Sequence, residues 1–381
     1  MKIIIASDSF KGSLDAIEIG NIGEKVAKNI FGRCEVVKIP MADGGEGTVD
    51  SLIEAMNGEM IYCDVNNPLG VKIRAGYGVF ESTAIMEMAA ASGITLVDDS
   101  ERDIMIQNTY GTGQLVLDAL ENGYKNIYLG IGGSATNDGG IGFASAIGVK
   151  FFSKNGEEVQ AVPKNFEQIY DIDISGINEL IYGANIHVMC DVTNPLLGEL
   201  GATNVFGRQK GADENARKIL EKGMEDYINI AEKAMDKDVR NAAGAGAAGG
   251  LGAGLMLFAN AKMCSGVDTI LDILKFKDKV CDADLVITGE GMMDYQSAYG
   301  KVASGVGKVC KHYGVPCIAI VGSMGEKAES MSEMGIRSIF PIVNKIMPLE
   351  FAIENAHSLY ESAVTRALTL VKIGMEIDAK S

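Results

Sequence analysis

Four glycine-rich, acid-containing loops, each directly behind an apolar run, constrain this chain more than any other feature. The longest is Gly130-Ile131-Gly132-Gly133-Ser134-Ala135-Thr136-Asn137-Asp138-Gly139-Gly140, which follows Ile127-Tyr128-Leu129 and precedes the small, apolar stretch 141–147. The others are Ser7-Asp8-Ser9-Phe10-Lys11-Gly12-Ser13, Met41-Ala42-Asp43-Gly44-Gly45-Glu46-Gly47-Thr48 and Thr288-Gly289-Glu290-Gly291. A short, continuous apolar run such as Ile3-Ile4-Ile5 reads as a strand buried on both faces of a parallel sheet. Strand, tight turn, helix, repeated, is the layout of an α/β protein. Glycine tolerates φ > 0 and carries no Cβ, so its turns let backbone N–H groups crowd around an anion, and a helix behind the turn adds the positive end of a dipole. The expected guest is phosphate, and the four loops are expected to converge on one cleft.

The order of elements predicts two domains. Residues 2–6 read as a strand, Ser13 as an N-cap, and Ile19, Ile22, Val26 and Ile30 as the apolar stripe of a helix. Val36-Val37-Lys38-Ile39 is the next strand, and the loop 43–47 leads into a helix over 49–56. From residue 59 the pattern changes: 61–65 and 71–77 read as a hairpin around Asn66-Asn67-Pro68-Leu69-Gly70. Residues 83–88 are ambiguous between strand and helix. A long charged helix is expected over 213–235, with Ile219, Met224, Ile228 and Ala231 on one side, followed by the Ala/Gly tract 242–254. Strand–helix alternation then returns, with strands at 284–288, 317–321 and 338–340 and a final helix over 349–371. Because both ends share one pattern and the middle another, a discontinuous parallel-sheet domain of residues 1–60 plus 262–381 is expected, with a second α/β domain, 61–261, inserted.

Composition removes several function classes. A formal charge of −17 excludes a nucleic-acid surface, which needs clustered Lys and Arg to replace counterions. An acidic chain can hold an anionic small molecule only where glycine amides, a few cations or a metal reverse the field, which predicts an internal site. The seven cysteines form no Cys-x-x-Cys pair, and most read as small buried groups in a reducing compartment. No apolar run reaches membrane-spanning length and the N-terminus enters a strand rather than a signal peptide, so a cytoplasmic protein is expected. A homo-oligomer is compatible with the sequence.

Two segments match dinucleotide-binding patterns, Gly130-x-Gly132-x-x-Ala135 loosely and Gly244-x-Gly246-x-x-Gly249 strictly. The second has only the polar Lys237-Asp238-Val239-Arg240-Asn241 before it, and the first lacks an acidic residue about twenty positions on for a ribose. Close packing of small residues is the competing account of 244–254. With only His187, His312 and His357, none in a glycine loop, the chemistry must rest on carboxylates and lysines. Asp8 and Lys11 end the first strand, where open α/β sheets place ligands. The lysine can neutralise a phosphate, and the aspartate can accept a hydroxyl proton, hold Mg²⁺ or simply cap a helix. Asp43 and Glu46 are candidate metal or hydroxyl ligands, or parts of a turn. Asp191, at the end of an apolar run, stands where an unpaired charge is costly and is a candidate catalytic carboxylate. Phosphoryl transfer needs positioning, cations and a carboxylate to orient the attacking hydroxyl, and this inventory supplies those parts.

Six segments together resemble the bacterial type I glycerate kinases: Asp8 to Ser13, Met41 to Thr48, Gly130 to Gly140, Cys190-Asp191-Val192-Thr193-Asn194-Pro195-Leu196-Leu197, Gly244 to Gly254, and Thr288 to Gly291. The resemblance runs from residue 2 to about 325 and implies ATP- and Mg²⁺-dependent phosphorylation of D-glycerate, commonly at the 2-hydroxyl. It also implies two α/β domains, one Rossmann-like and discontinuous, with the active site between them. Within these segments and the helix start that follows the last, the candidate substrate- and cofactor-binding residues are Ser9, Ser13, Gly44, Gly45, Gly132, Gly133, Ser134, Asn137, Asn194, Gly289, Glu290, Gly291 and Lys301. The catalytic candidates are Asp191, Asp8 and Lys11, with Asp43 and Glu46 for metal. The chain departs from the family pattern at Ser7 and Arg208, where proline is usual, and at Met292, where arginine is usual. An NAD-dependent hydroxy-acid dehydrogenase and a non-catalytic anion-binding relative are the alternative readings.

Overall fold

The computed structural model describes residues 1–42, 44–45, 47–298 and 301–379. The chain forms two compact units, Met1–Asp43 with Asp50–Met56 and Val267–Ser381, and Gly44–Val49 with Asn57–Gly266.

The first unit is built on a five-stranded sheet in the order Ile336–Pro341, Cys317–Val321, Leu285–Thr288, Lys2–Ile5, Glu35–Lys38. Every neighbouring pair is parallel, and strands from the two ends of the chain lie side by side, Ile3 opposite Leu285 and Ile5 opposite Ile287. Buried on both faces, the central strands read as unbroken apolar runs. Helix Ala16–Phe31 buries Ile19, Ile22 and Val26, the stripe its spacing predicts. Its N-cap, however, is Asp15 rather than Ser13: Asp15 accepts from Glu18 N at 2.7 Å and the Glu18 carboxylate accepts from Asp15 N at 3.0 Å. This reciprocal box outcompetes the upstream serine, whose hydroxyl turns back to Phe10 O at 2.9 Å. The C-terminal segment is two helices, Leu349–Glu354 and Ala356–Asp378, the second burying Tyr360, Ala363 and Val364 with Ile19, Ile22 and Val26 in one core.

The second unit carries a six-stranded mixed sheet: Lys262–Cys264, Asn185–Met189, Asn126–Gly130, Thr83–Glu87, Lys72–Phe80, Glu59–Asn66. The first four run parallel and the last two add an antiparallel hairpin. Its turn is closed by Asn67, whose Oδ1 accepts from Leu69 N and Val71 N, both at 2.9 Å. Of residues 83–88, Thr83–Glu87 form a strand, because their apolar side chains lie between two neighbouring strands, and Met88 begins the next turn. Helix Glu214–Met235 buries Leu220, Met224, Ile228 and Ala231; Ile219 is exposed, since Leu220 sits on the face that meets the core. No helix among the described residues is long and apolar enough to cross a membrane.

Candidate active site

In the second unit, the loops at the carboxyl ends of the parallel strands meet. The loop 44–45 lies directly on 130–132: a Cβ on Gly130 would stand 2.4 Å from Gly44 O, and one on Gly132 3.5 Å from Gly45 Cα. Gly44 itself adjoins Met189 and Gly266, and Gly266 N donates to Asp191 Oδ1 at 3.1 Å. Glu87, at the end of its strand, accepts from Val49 N at 3.0 Å. Gly44, Gly45, Gly132, Asp191 and Glu87 thus share one end of the sheet. Asp191 is exposed there, so the burial cost expected from its position after an apolar strand does not arise.

The loop 130–140 has two halves. Asp138 is fully buried and satisfies its own neighbours: Thr109 N and Oγ1 donate at 2.7 and 2.8 Å, Gly140 N at 3.0 Å and Gly142 N at 3.1 Å. Gly139 N donates to Gly249 O at 2.9 Å. The amides at 139, 140 and 142 are therefore committed inside the protein and do not form the phosphate nest that their glycines suggest. Burial raises the Asp138 pKa, opposed by the Thr109 and glycine hydrogen bonds. The upstream half is open: Gly132 and Gly133 are exposed and Ser134 is half-buried. Behind it lies Lys210, 3% exposed, whose Nζ donates to Ser134 Oγ at 2.6 Å and to Thr136 O at 2.7 Å. Burial pushes this ammonium down to about 7, against the pull of Asp138. Lys210 carries little signal in the sequence beyond its place in Arg208-Gln209-Lys210-Gly211-Ala212, where Arg208 is the visible departure from the family pattern.

Asn137 is buried and donates to Thr203 Oγ1 at 2.9 Å, and Asn194 donates to Leu200 O at 2.8 Å; both brace loops. The 244–254 tract is close packing. A Cβ on Gly249 would stand 2.0 Å from Thr136 O, one on Gly250 2.7 Å from Gly139 Cα and one on Gly254 2.8 Å from Gly140 Cα. A 3₁₀ turn at Ala247–Gly250 followed by a helix, with no strand ahead, leaves the dinucleotide fingerprint without its structural context.

In the first unit, loops after four parallel strands surround a cavity of about 460 Å³. Its lining combines the charged Asp8, Lys11, Glu290 and Lys301 with the apolar Ile342, Val343, Leu349, Ala352, Ile353 and Ala356. Asp8 does not cap the helix. Its N donates to Gly289 O at 3.0 Å, and its Oδ1 accepts from Ser9 N at 2.7 Å. Lys301 Nζ meets Glu290 Oε2 at 3.1 Å, and burial raises the Glu290 pKa against the pull of Lys301. Gly289 is required by contact, since a Cβ would stand 1.9 Å from Ile320 O, while Gly291 faces the cavity with nothing nearer than Phe10 Cα at 3.6 Å. Ser9, Ser13 and Gly291 line the same space.

The family model described as "Glycerate kinase family" matches residues 3–372. The chain is 45% identical to a glycerate kinase of Halalkalibacterium halodurans, over 95% of this chain and 96% of the relative. It is 42% identical to a protein of Escherichia coli named glycerate 2-kinase, over 98% and 99%. A solved structure from Salmonella typhimurium superimposes with a TM-score of 0.90 at 39% identity, covering 99% of both chains. The chain belongs to the glycerate kinase family.

A glycerate kinase is a phosphotransferase that draws on ATP, and its catalysis rests on positioning and charge. Among the described residues, Lys11 and Lys301 line the cavity of the first unit, and in the second Lys210 lies buried behind Ser134. Met292, 53% exposed, stands in the cavity where glycerate kinases usually carry arginine, and Lys301 lines that cavity with it, so a cation remains there. Among the described residues no three His, Cys, Asp or Glu side chains gather as a metal-holding group. Asp43 and Glu46 lie outside the described residues.

Proposed function

We propose that the protein transfers the γ-phosphoryl group of Mg·ATP to the 2-hydroxyl of D-glycerate, giving 2-phospho-D-glycerate and ADP. The observation that carries this reading is the near-full-length match to the Escherichia coli relative whose name specifies the 2-position. Lys11 and Lys301 are assigned to the charge of the transferring phosphoryl, and Asp191 to orienting the acceptor hydroxyl, with Asp8 as the alternative. Gly132, Gly133 and Ser134 offer exposed backbone and a hydroxyl for the acceptor's anionic groups, held in place by Lys210. Mg²⁺ neutralises the nucleotide's phosphates, and Asp43 and Glu46 are proposed to contact it.

The test is regiochemical. Product formed from Mg·ATP and D-glycerate is expected to be dehydrated by enolase directly to phosphoenolpyruvate. A product that enolase accepts only after a phosphoglycerate mutase is added would assign the 3-hydroxyl instead.

A further inference from the structure

The first unit's cavity is divided chemically, and that division distinguishes the two substrates of a kinase. Its floor is made of small or buried apolar groups: Ala352 at 8% exposure, Ala356 at 3% and Ile342 at 3%. Its rim carries large apolar side chains left in water, Leu349 at 71% and Ile353 at 39%. Isolated exposed apolar residues are ordinary, but here they border one concavity that Lys11 and Lys301 also line. D-Glycerate is polar over its whole surface and would leave this wall wet. A nucleotide matches both ends, having a flat, weakly hydrated base and a polyanionic tail. The volume, about 460 Å³, lies in the range of small-molecule sites. The position, outside the carboxyl ends of parallel strands, is where open α/β sheets receive ligands. The pocket in the second unit beside helix Glu214–Met235 has no such wall, being bordered by Glu214, Arg217, Lys218, Glu221 and Lys222.

We propose that the apolar half of this cavity, formed by Ile342, Val343, Leu349, Ala352, Ile353 and Ala356, is the slot for the purine of ATP, with the triphosphate directed toward Lys11 and Lys301. The two alanines leave room for a ring to lie flat. Ser323, on the same lining, supplies a hydroxyl at its edge. The proposal rests on the reading that this protein uses ATP, and it assigns the acceptor elsewhere.

Two variants test it. Ile353→Asp puts a charge on the half-exposed rim and leaves the core untouched; Ala352→Phe fills the floor. Affinity for a non-hydrolysable ATP analogue, measured calorimetrically, is expected to fall about tenfold or more in both, with the KM for D-glycerate within twofold of wild type. Thermal melts identify any variant that fails to fold, and Ile353→Asp keeps the test valid if Ala352→Phe does. Unchanged nucleotide affinity in folded variants overturns the slot while leaving the kinase reading intact. A raised KM for D-glycerate with nucleotide affinity preserved overturns it in favour of the acceptor. If the wild-type protein binds the analogue and the variants do not, yet no phosphoglycerate forms, the acceptor reading fails and the slot stands. A wild-type protein that binds no nucleotide overturns both.

Discussion

The loop 130–140 and the loops around the first unit's cavity both combine glycine with a carboxylate and use it in opposite ways. In the former, Asp138 and Gly249 consume the backbone donors at 139, 140 and 142, and neighbouring backbone leaves no room for a Cβ at Gly130, Gly140 or Gly142. Around the cavity, a Cβ on Gly291 would meet nothing nearer than 3.6 Å, Lys11 is exposed and the Lys301 side chain is 40% exposed. A glycine–aspartate turn can thus be a structural rivet or a ligand surface, and what separates them is whether its N–H groups already have partners. The sharpest break of this comparison is a pair of glycine substitutions. Gly249→Ala sets a Cβ 2.0 Å from a carbonyl at φ +68°, and is expected to cost more than about 4 kcal/mol or abolish soluble expression, read by chemical denaturation. Gly291→Ala meets nothing closer than 3.6 Å and is expected to cost less than about 1 kcal/mol while depressing turnover. Equal losses of stability would erase the distinction.

Next in size is Lys11→Ala, expected to lower kcat/KM by about 3 kcal/mol, on the order of a hundredfold, with stability changed by no more than about 0.5 kcal/mol. Asp191→Asn is expected to lower turnover similarly while sparing ATP affinity. If Asp8→Asn is the more damaging of the two aspartate variants, the base moves to Asp8. On the structural side, Asp138→Asn turns an amide N–H₂ toward backbone donors and is expected to cost about 2 kcal/mol of stability.

The smallest effect is a pH dependence. Below about 7, Lys210 is charged in both the folded and unfolded states. Above it the folded protein has released that proton while the unfolded chain keeps it up to the ordinary lysine range, so the unfolded state binds more protons and stability rises with pH. The difference in unfolding free energy between wild type and Lys210→Met is therefore expected to grow in wild type's favour as pH climbs from about 7. A flat difference would mean that Lys210 keeps its proton in the folded state.

By itself the sequence determined the α/β class, the parallel sheet shared by the two ends of the chain, the hairpin in the middle and the family, because each depends on local pattern: unbroken apolar runs, a 3.6-residue stripe in helix Ala16–Phe31, an Asn-Pro turn and long contiguous motifs. It also marked Asp8, Lys11, Glu290 and Lys301 separately, and the structure gathers them around one cavity. Only tertiary structure decided which amides were spent, since Gly139 N finds its acceptor at Gly249, far along the chain. The same holds for Lys210, whose partners Ser134 and Thr136 lie more than seventy positions away. The apolar lining at 342–356 was hidden for a further reason: its side chains follow no chemical motif, and only the fold sets them around one cavity with Lys11, from the other end of the chain, and Lys301.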